Sequence, residues 1–164
     1  MQQPPADTTS FQDYYPASYS QCYGCGTANP HGLQIRSFWD GEESLAVFRP
    51  QPYHLAFPGY VYGGLLASLI DCHCVGTAAA AAYREAGREP GSEPAFRYVT
   101  ASLHVDFLKP TPLGPPLHIR ARVEEIAGKK TVLSATVTAD AEITVRGRVV
   151  AVRIPENLVT EEGC

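Results

Sequence analysis

The stretch FPGYVYGGLLASLIDCHCVGTAAAAA, Phe57 to Ala82, constrains this chain more than any other. The Gly63-Gly64 pair opens a helix reaching about Ala86, and its alanine run is strongly helix-forming. Asp71 sits inside that helix, flanked by leucine, isoleucine and cysteine, and too deep to be an N-cap. A carboxylate in such surroundings is costly unless something pairs with it or needs it. At helical spacing it stacks with Gly64, Ala67, Cys74 and Val75, a stripe of small or modest side chains that a substrate or second subunit can approach.

The rest of the chain supplies the cover. Residues 1–20 are rich in Pro, Gln, Ser and Tyr without periodicity and read as a flexible arm, which Phe11, Tyr14, Tyr15 and Tyr19 can fasten in part. Residues 21–155 carry the domain, and 156–164 form a polar tail. Two short strands are expected first, with Leu33, Ile35, Ser37 and Trp39 in one and Leu45 and Val47 in the other, joined by the Asp-Gly turn of WDGEE. After the helix, Val99, Ala101, Leu103, Val105 and Phe107 alternate with Thr100, Ser102, His104 and Asp106 in a long strand. Leu117 to Val123 alternate again, IAGKK is a hairpin signal, and TVLSATVTAD and EITVRGRVVAVRI supply two more strands. Two strands, one long helix and four strands in succession give an α+β domain, a curved sheet of about six strands around one helix. The uncovered sheet edges call for a second copy, as a homodimer or a tetramer of two dimers.

Charge and composition narrow the function. Among 164 residues, 13 basic and 17 acidic side chains give a net charge of −4, with none of the clustered Lys and Arg of a nucleic-acid footprint. Asp71 interrupts the apolar run that a membrane span needs. MQQPPADTTS has neither the charged nor the apolar region of a secretion signal, so a cytoplasmic location is expected. Five cysteines, an odd number, argue against a disulfide scaffold. Cys22 and Cys25 in CYGCG, with Cys72, His73 and Cys74, offer zinc-type donors. Neighbouring helical residues point about 100° apart, so the three residues of CHC cannot all converge on one ion. A metal-free pair and reduced thiols are therefore expected.

Four segments in order, CYGCGTANPHGL, FPGYVYGGLLASLID, TASLHVDFLKPTPLGPPLHIRARV and GKKTVLSATVTA, resemble the hotdog-fold acyl-CoA thioesterases, in their phenylacetate-type and Them4-like branch. The resemblance spans about Cys22 to Ile154. It implies a hotdog fold and hydrolysis of a CoA thioester to free acid and CoA, with no cofactor, since coenzyme A is part of the substrate. In that family an acidic residue nine positions after a His-Gly-Gly histidine does the chemistry, and here it falls on Asp71. The family's oxyanion donors fall on Gly63 and Gly64, and its threonine, which orients water or substrate across a dimer interface, on Thr100. The histidine itself is replaced by Tyr62, whose hydroxyl donates from a longer, differently aimed arm.

The residues support the same chemistry independently. A helix N-terminus has unpaired N–H groups and favours anions, and glycine there lets a ligand meet the backbone. That suits the oxyanion formed when a thioester carbonyl is attacked. An apolar cleft strengthens a carboxylate either as general base or as nucleophile, and the sequence does not choose. The structural alternative pairs Asp71 with an arginine or a backbone group. Ala67 and Tyr62 are candidate substrate contacts, and His54, in the preceding loop, is a pocket-wall candidate. Lys109, Lys129 and Lys130 sit at turns from which they can reach CoA phosphates, although solvated hairpin lysines look the same. His73, on another helical face than Asp71, is expected to be a satisfied core or interface histidine. Two other functions fit: a non-catalytic acyl-CoA binding module, suggested by Tyr62, and a dehydratase or hydratase, for which His54 is the available histidine.

Overall fold

The computed structural model describes residues 9–158. Its single long helix, α1 (Gly63–Glu85), buries Leu66, Leu69, Ile70, His73, Cys74, Thr77 and Ala78, as the periodicity of an enclosed helix requires. By length and mean hydropathy alone α1 matches a membrane span despite Asp71, but most of that window is buried inside the domain.

The cover is one antiparallel sheet of β1 (Ser37–Asp40), β2 (Glu43–Phe48), β3 (Tyr98–Phe107), β4 (Leu117–Ala127), β5 (Lys130–Ala139) and β6 (Glu142–Arg153). The strand order β1-β2-β4-β5-β6-β3 places β3 at one edge and β1 at the other. This is the hotdog arrangement. Leu117, Ile119, Leu133, Val137, Val145, Val149 and Ala151 form the sheet's share of the core, alternating as strands covered on one face do. The hairpins turn where left-handed conformations are available, at Gly41, Gly128 and the Asp140-Ala141 pair.

Three local expectations need correction. The first strand begins only at Ser37; Leu33 and Ile35 instead donate their N–H groups to the carbonyls of Tyr23 and Gly24, lashing this segment to the CYGCG loop. The N-terminal segment is held from Ser10 onward. Phe11 is buried 5.1 Å from the Trp39 ring, and the Gln12 amide accepts from Ser37 N at 2.8 Å and donates to its hydroxyl. Residues 1–8, and the tail from 159, lie outside the described residues.

Strict alternation puts Thr100 on the face opposite Val105, but the β3–β6 register shifts between Thr100 and Ser102. Thr100 pairs with buried Ala151, and Leu103 and Phe107 pair with buried Val149 and Val145. Paired residues share a face, so one extra residue at the bulge brings Thr100 to the helix side together with Val105. Tyr98 and Val105, of opposite parity, both pack on the core accordingly.

His73 is fully buried, with Ser37 Oγ 2.9 Å from Nδ1 and Ser44 Oγ 3.0 Å from Nε2. Thr77 lies 2.6 Å from Ser44, closing a hydroxyl network that tethers the helix to β1 and β2. It is a satisfied core histidine, as expected. Burial lowers its pKa from 6.5 to about 4. Between those values the unfolded chain binds a proton that the folded state refuses, so stability falls as pH drops through this window. Urea unfolding should show a loss on the order of 2 kcal/mol from this group between about pH 7 and about pH 5. His73→Gln should be less stable at neutral pH and lose correspondingly less on acidification; equal losses in both proteins would show that His73 does not titrate this way.

Candidate functional site

Asp71, Cys72, Val75, Gly76, Ala79, Ala80 and Tyr83 come to one side of α1, on the stripe that the sheet leaves open, and form a wall of a cavity of about 600 Å³. Small residues at 76, 79 and 80 make the room. The opposite wall is the N-terminal segment, where Phe11, Tyr14, Tyr15 and Tyr19 face the helix. A Cβ at Gly76 would stand 3.1 Å from the Tyr15 hydroxyl, so this glycine sets how closely the segment approaches. Trp39, Phe96 and the start of β3 complete an enclosure that is largely aromatic.

Among the described residues Asp71 is the only acidic one in that lining, and Thr100 is beside it. The Thr100 hydroxyl donates a hydrogen bond to Asp71 Oδ1, within one chain. The helix supplies the carboxylate and the bulged strand edge supplies the donor. Such a bond fixes the carboxylate's orientation without neutralising it.

Three arginines mark the other end of the cavity. Arg88 donates to the carbonyls of Ser92 and Pro94, both at 2.7 Å, and its guanidinium lies 4.5 Å from the Phe96 ring centroid. Arg84 lies over Trp39 at 3.6 Å. Arg97 lies over Tyr19 at 5.0 Å, with its Nε buried and unpartnered among the described residues. Sequence reasoning missed these arginines, and with them Trp39, Tyr83 and Phe96. The i, i+4 ladder Asp71, Val75, Ala79, Tyr83 was the available signal for the helical wall.

The other predicted residues lie elsewhere. Gly63 and Gly64 open α1 as expected, but Gly63 is eight residues from Asp71, about 12 Å along the axis of the same helix. Tyr62 is exposed at the N-cap, with its ring folded back so that a Cβ on Gly64 would meet it at 2.4 Å. Ala67, one turn before Asp71, is half-buried and outside the cavity lining. His54 faces a different groove, with Tyr23, His31, Arg49 and Gln51. Its Nδ1 accepts the Gln51 N–H at 3.0 Å, and burial lowers its pKa. His54 and Asp71 therefore do not form an acid–base pair within one chain.

Lys109 pairs with Glu142 at 2.9 Å and Lys130 with Glu125 at 3.3 Å. Lys129 and Lys130 sit at the β4–β5 hairpin, the Thr100 end of β3, whereas Lys109 follows the far end of that strand. The ends are about 25 Å apart along β6, too far for one phosphate cluster to use both. The CHC stretch divides: His73 turns to its serines, Cys74 into the core, and Cys72 toward the CYGCG loop.

Known proteins share this framework. The family model described as Thioesterase superfamily matches residues 58–146, from before Gly63 to the middle of β6. The acyl-coenzyme A thioesterase THEM4 of Xenopus laevis is 32% identical over 108 residues, covering 65% of this chain and 43% of the frog protein. The chain thus spans less than half the length of that curated relative. A Thioesterase superfamily protein from Shewanella loihica superposes with a TM-score of 0.64 at 42% identity, covering 79% of this chain and 98% of that one. The E. coli PaaI protein of the phenylacetic acid degradation operon superposes at 0.61 with 18% identity, covering 75% and 81%. Matched over more than half its length by the family model, and in fold by a sheet wrapped on a glycine-opened helix, this chain belongs to the Thioesterase superfamily.

Proposed function

We propose that the protein is an acyl-CoA thioesterase whose catalytic carboxylate is Asp71. The observation that carries this reading is the Thr100 hydroxyl bonded to Asp71 at the wall of an aromatic cavity. The acyl group occupies the cavity, and the thioester carbonyl lies beside Asp71. Asp71 takes a proton from water as the water oxygen attacks the carbonyl carbon, or attacks that carbon itself to form an anhydride that water then hydrolyses to free acid and the restored carboxylate. The C–S bond then breaks and coenzyme A leaves as the thiol after protonation. The THEM4 relative's name, acyl-coenzyme A thioesterase, supports the substrate class.

The oxyanion has to be held by donors near Asp71, and the glycines of the same helix are about 12 Å away. A second copy of the chain therefore brings its own Gly63-Gly64 N–H groups to each Asp71. The β3 edge is the surface that supports this assembly: Val99, Leu103, Phe107 and Leu108 are all exposed apolar side chains on or beside a strand paired along one side only. Phe107 also touches the Gly63 position, 3.3 Å from where its Cβ would be, linking that edge to the helix start. Of the lysines, Lys129 and Lys130 lie at the Thr100 end and remain candidate phosphate contacts. The folded-back Tyr62 ring favours a second reading, an acyl-CoA binding module without turnover.

Release of free thiol from a panel of aromatic and aliphatic acyl-CoAs separates these readings. Asp71→Asn should lower hydrolysis by about 10²-fold or more while leaving acyl-CoA binding intact. Thr100→Val, which keeps the shape and removes the donor, should lower it by about tenfold, and Tyr62→Phe by about tenfold at most. Hydrolysis by Asp71→Asn at the wild-type rate would make Asp71 structural. Binding without hydrolysis by the wild-type protein would select the binding-module reading.

Sedimentation should give a dimer or larger at micromolar concentration. An active monomer there would rule out a site shared between copies.

A further inference from the structure

The sulfur atoms of Cys22, Cys25 and Cys72 lie within 4.8 Å of one another, beside Asp71 on the cavity wall. Cys22 Sγ is 3.7 Å from Cys72 Sγ across fifty residues of sequence. Nothing in thioester hydrolysis as proposed uses these thiols. Cys25 is buried, Cys72 half-buried and Cys22 exposed, so the cluster is enclosed on one side and open on the other.

The loop is shaped for this approach. A Cβ at Gly24 would lie 2.1 Å from Cys72 Sγ, so only glycine lets the loop come down on that sulfur. A Cβ at Gly26 would lie 2.5 Å from the backbone N and O of Cys22, and Gly26 N donates to Cys22 O at 2.8 Å, closing the CYGC turn on itself. Cysteine binds a metal as the thiolate, and this loop brings three such sulfurs together.

We propose that Cys22, Cys25 and Cys72 bind one Zn²⁺ ion, with water from the cavity completing a tetrahedral site. Three thiolates suit a borderline-soft ion that favours four-coordination. Sulfurs bound at about 2.3 Å to a tetrahedral ion stand about 3.8 Å apart, close to the present Cys22–Cys72 separation. Binding displaces the thiol protons to solvent and leaves each sulfur as thiolate. The ion pins the loop to α1 one residue from Asp71 and fixes the cavity wall there. This departs from the metal-free pair expected from sequence, where CHC was weighed as a unit. Only Cys72 of that stretch is needed.

The test uses fully reduced full-length protein, loaded with zinc or cobalt and dialysed against a weak chelator. Elemental analysis should find about one zinc per chain. The Co²⁺ form should show thiolate-to-cobalt charge transfer and the strong visible bands of tetrahedral cobalt. Cys22→Ser, Cys25→Ser and Cys72→Ser should each weaken retention at least tenfold, whereas Cys74→Ser and Cys164→Ser should retain the ion. Gly24→Ala should weaken it with all the thiols present, which keeps the idea testable if a cysteine variant fails to fold. A reduced wild-type protein that retains neither ion overturns the proposal, and so does undiminished retention after replacing all three cysteines. Both readouts are independent of thioester hydrolysis.

Discussion

A carboxylate carried on the middle of an apolar helix needs a hydrogen-bond donor, and here one extra residue in a strand delivers it. The bulge after Thr100 turns that hydroxyl toward α1, where it meets Asp71. Without the bulge, alternation would send Thr100 to the outer face of the sheet and leave the carboxylate to solvent or to an uncompensated apolar wall. The bulge sits on an edge strand, where the ladder is paired on one side only and an unpaired residue disrupts least.

The cavity follows from the same edge. Because the sheet ends at β3, the Asp71 stripe of α1 is left uncovered, and the segment from Ser10 to Tyr19 fills in over it. That segment is fastened by Phe11 on Trp39 and by Gln12 on Ser37. Ser37 also contacts His73, so the anchoring of the cavity's lid and the buried polar network of the helix meet at one residue. Aromatic walls, the Asp71 carboxylate and arginines at the far end make a pocket that is apolar along most of its length and polar at its ends.

Much of this was legible in the sequence. The helix starts at the Gly-Gly pair, the late strands alternate as written, and Asp71 announces itself by its cost among leucine, isoleucine and cysteine. The bulge was not legible, because YVTASLHVDF alternates cleanly and nothing local marks an extra residue. Whether a strand slips by one depends on its partner, and Ala151 and Val150 are some fifty residues away. The fastening of the N-terminal segment depends likewise on Ser37 and Trp39, and the thiol cluster on a loop fifty residues before Cys72. Residues that matter through their own helix or turn were readable; those that matter through a distant partner were not. His54 shows the opposite error, since its place near the helix start in sequence puts it in another groove in space.

The proposed site joins Asp71 of one chain to the Gly63 N–H of another, and complementation between two inactive variants reads out that pairing. Asp71→Asn removes the carboxylate. Gly63→Pro removes an N–H at the first helical position, where proline is compatible with a helix start. Each variant alone should be nearly inactive. Mixed and re-associated at equal amounts, half the dimers are hybrids with one intact site in two, so thioester hydrolysis should recover to about a quarter of the wild-type rate. Mixtures that form hybrid dimers yet stay as inactive as their components would contradict the shared site.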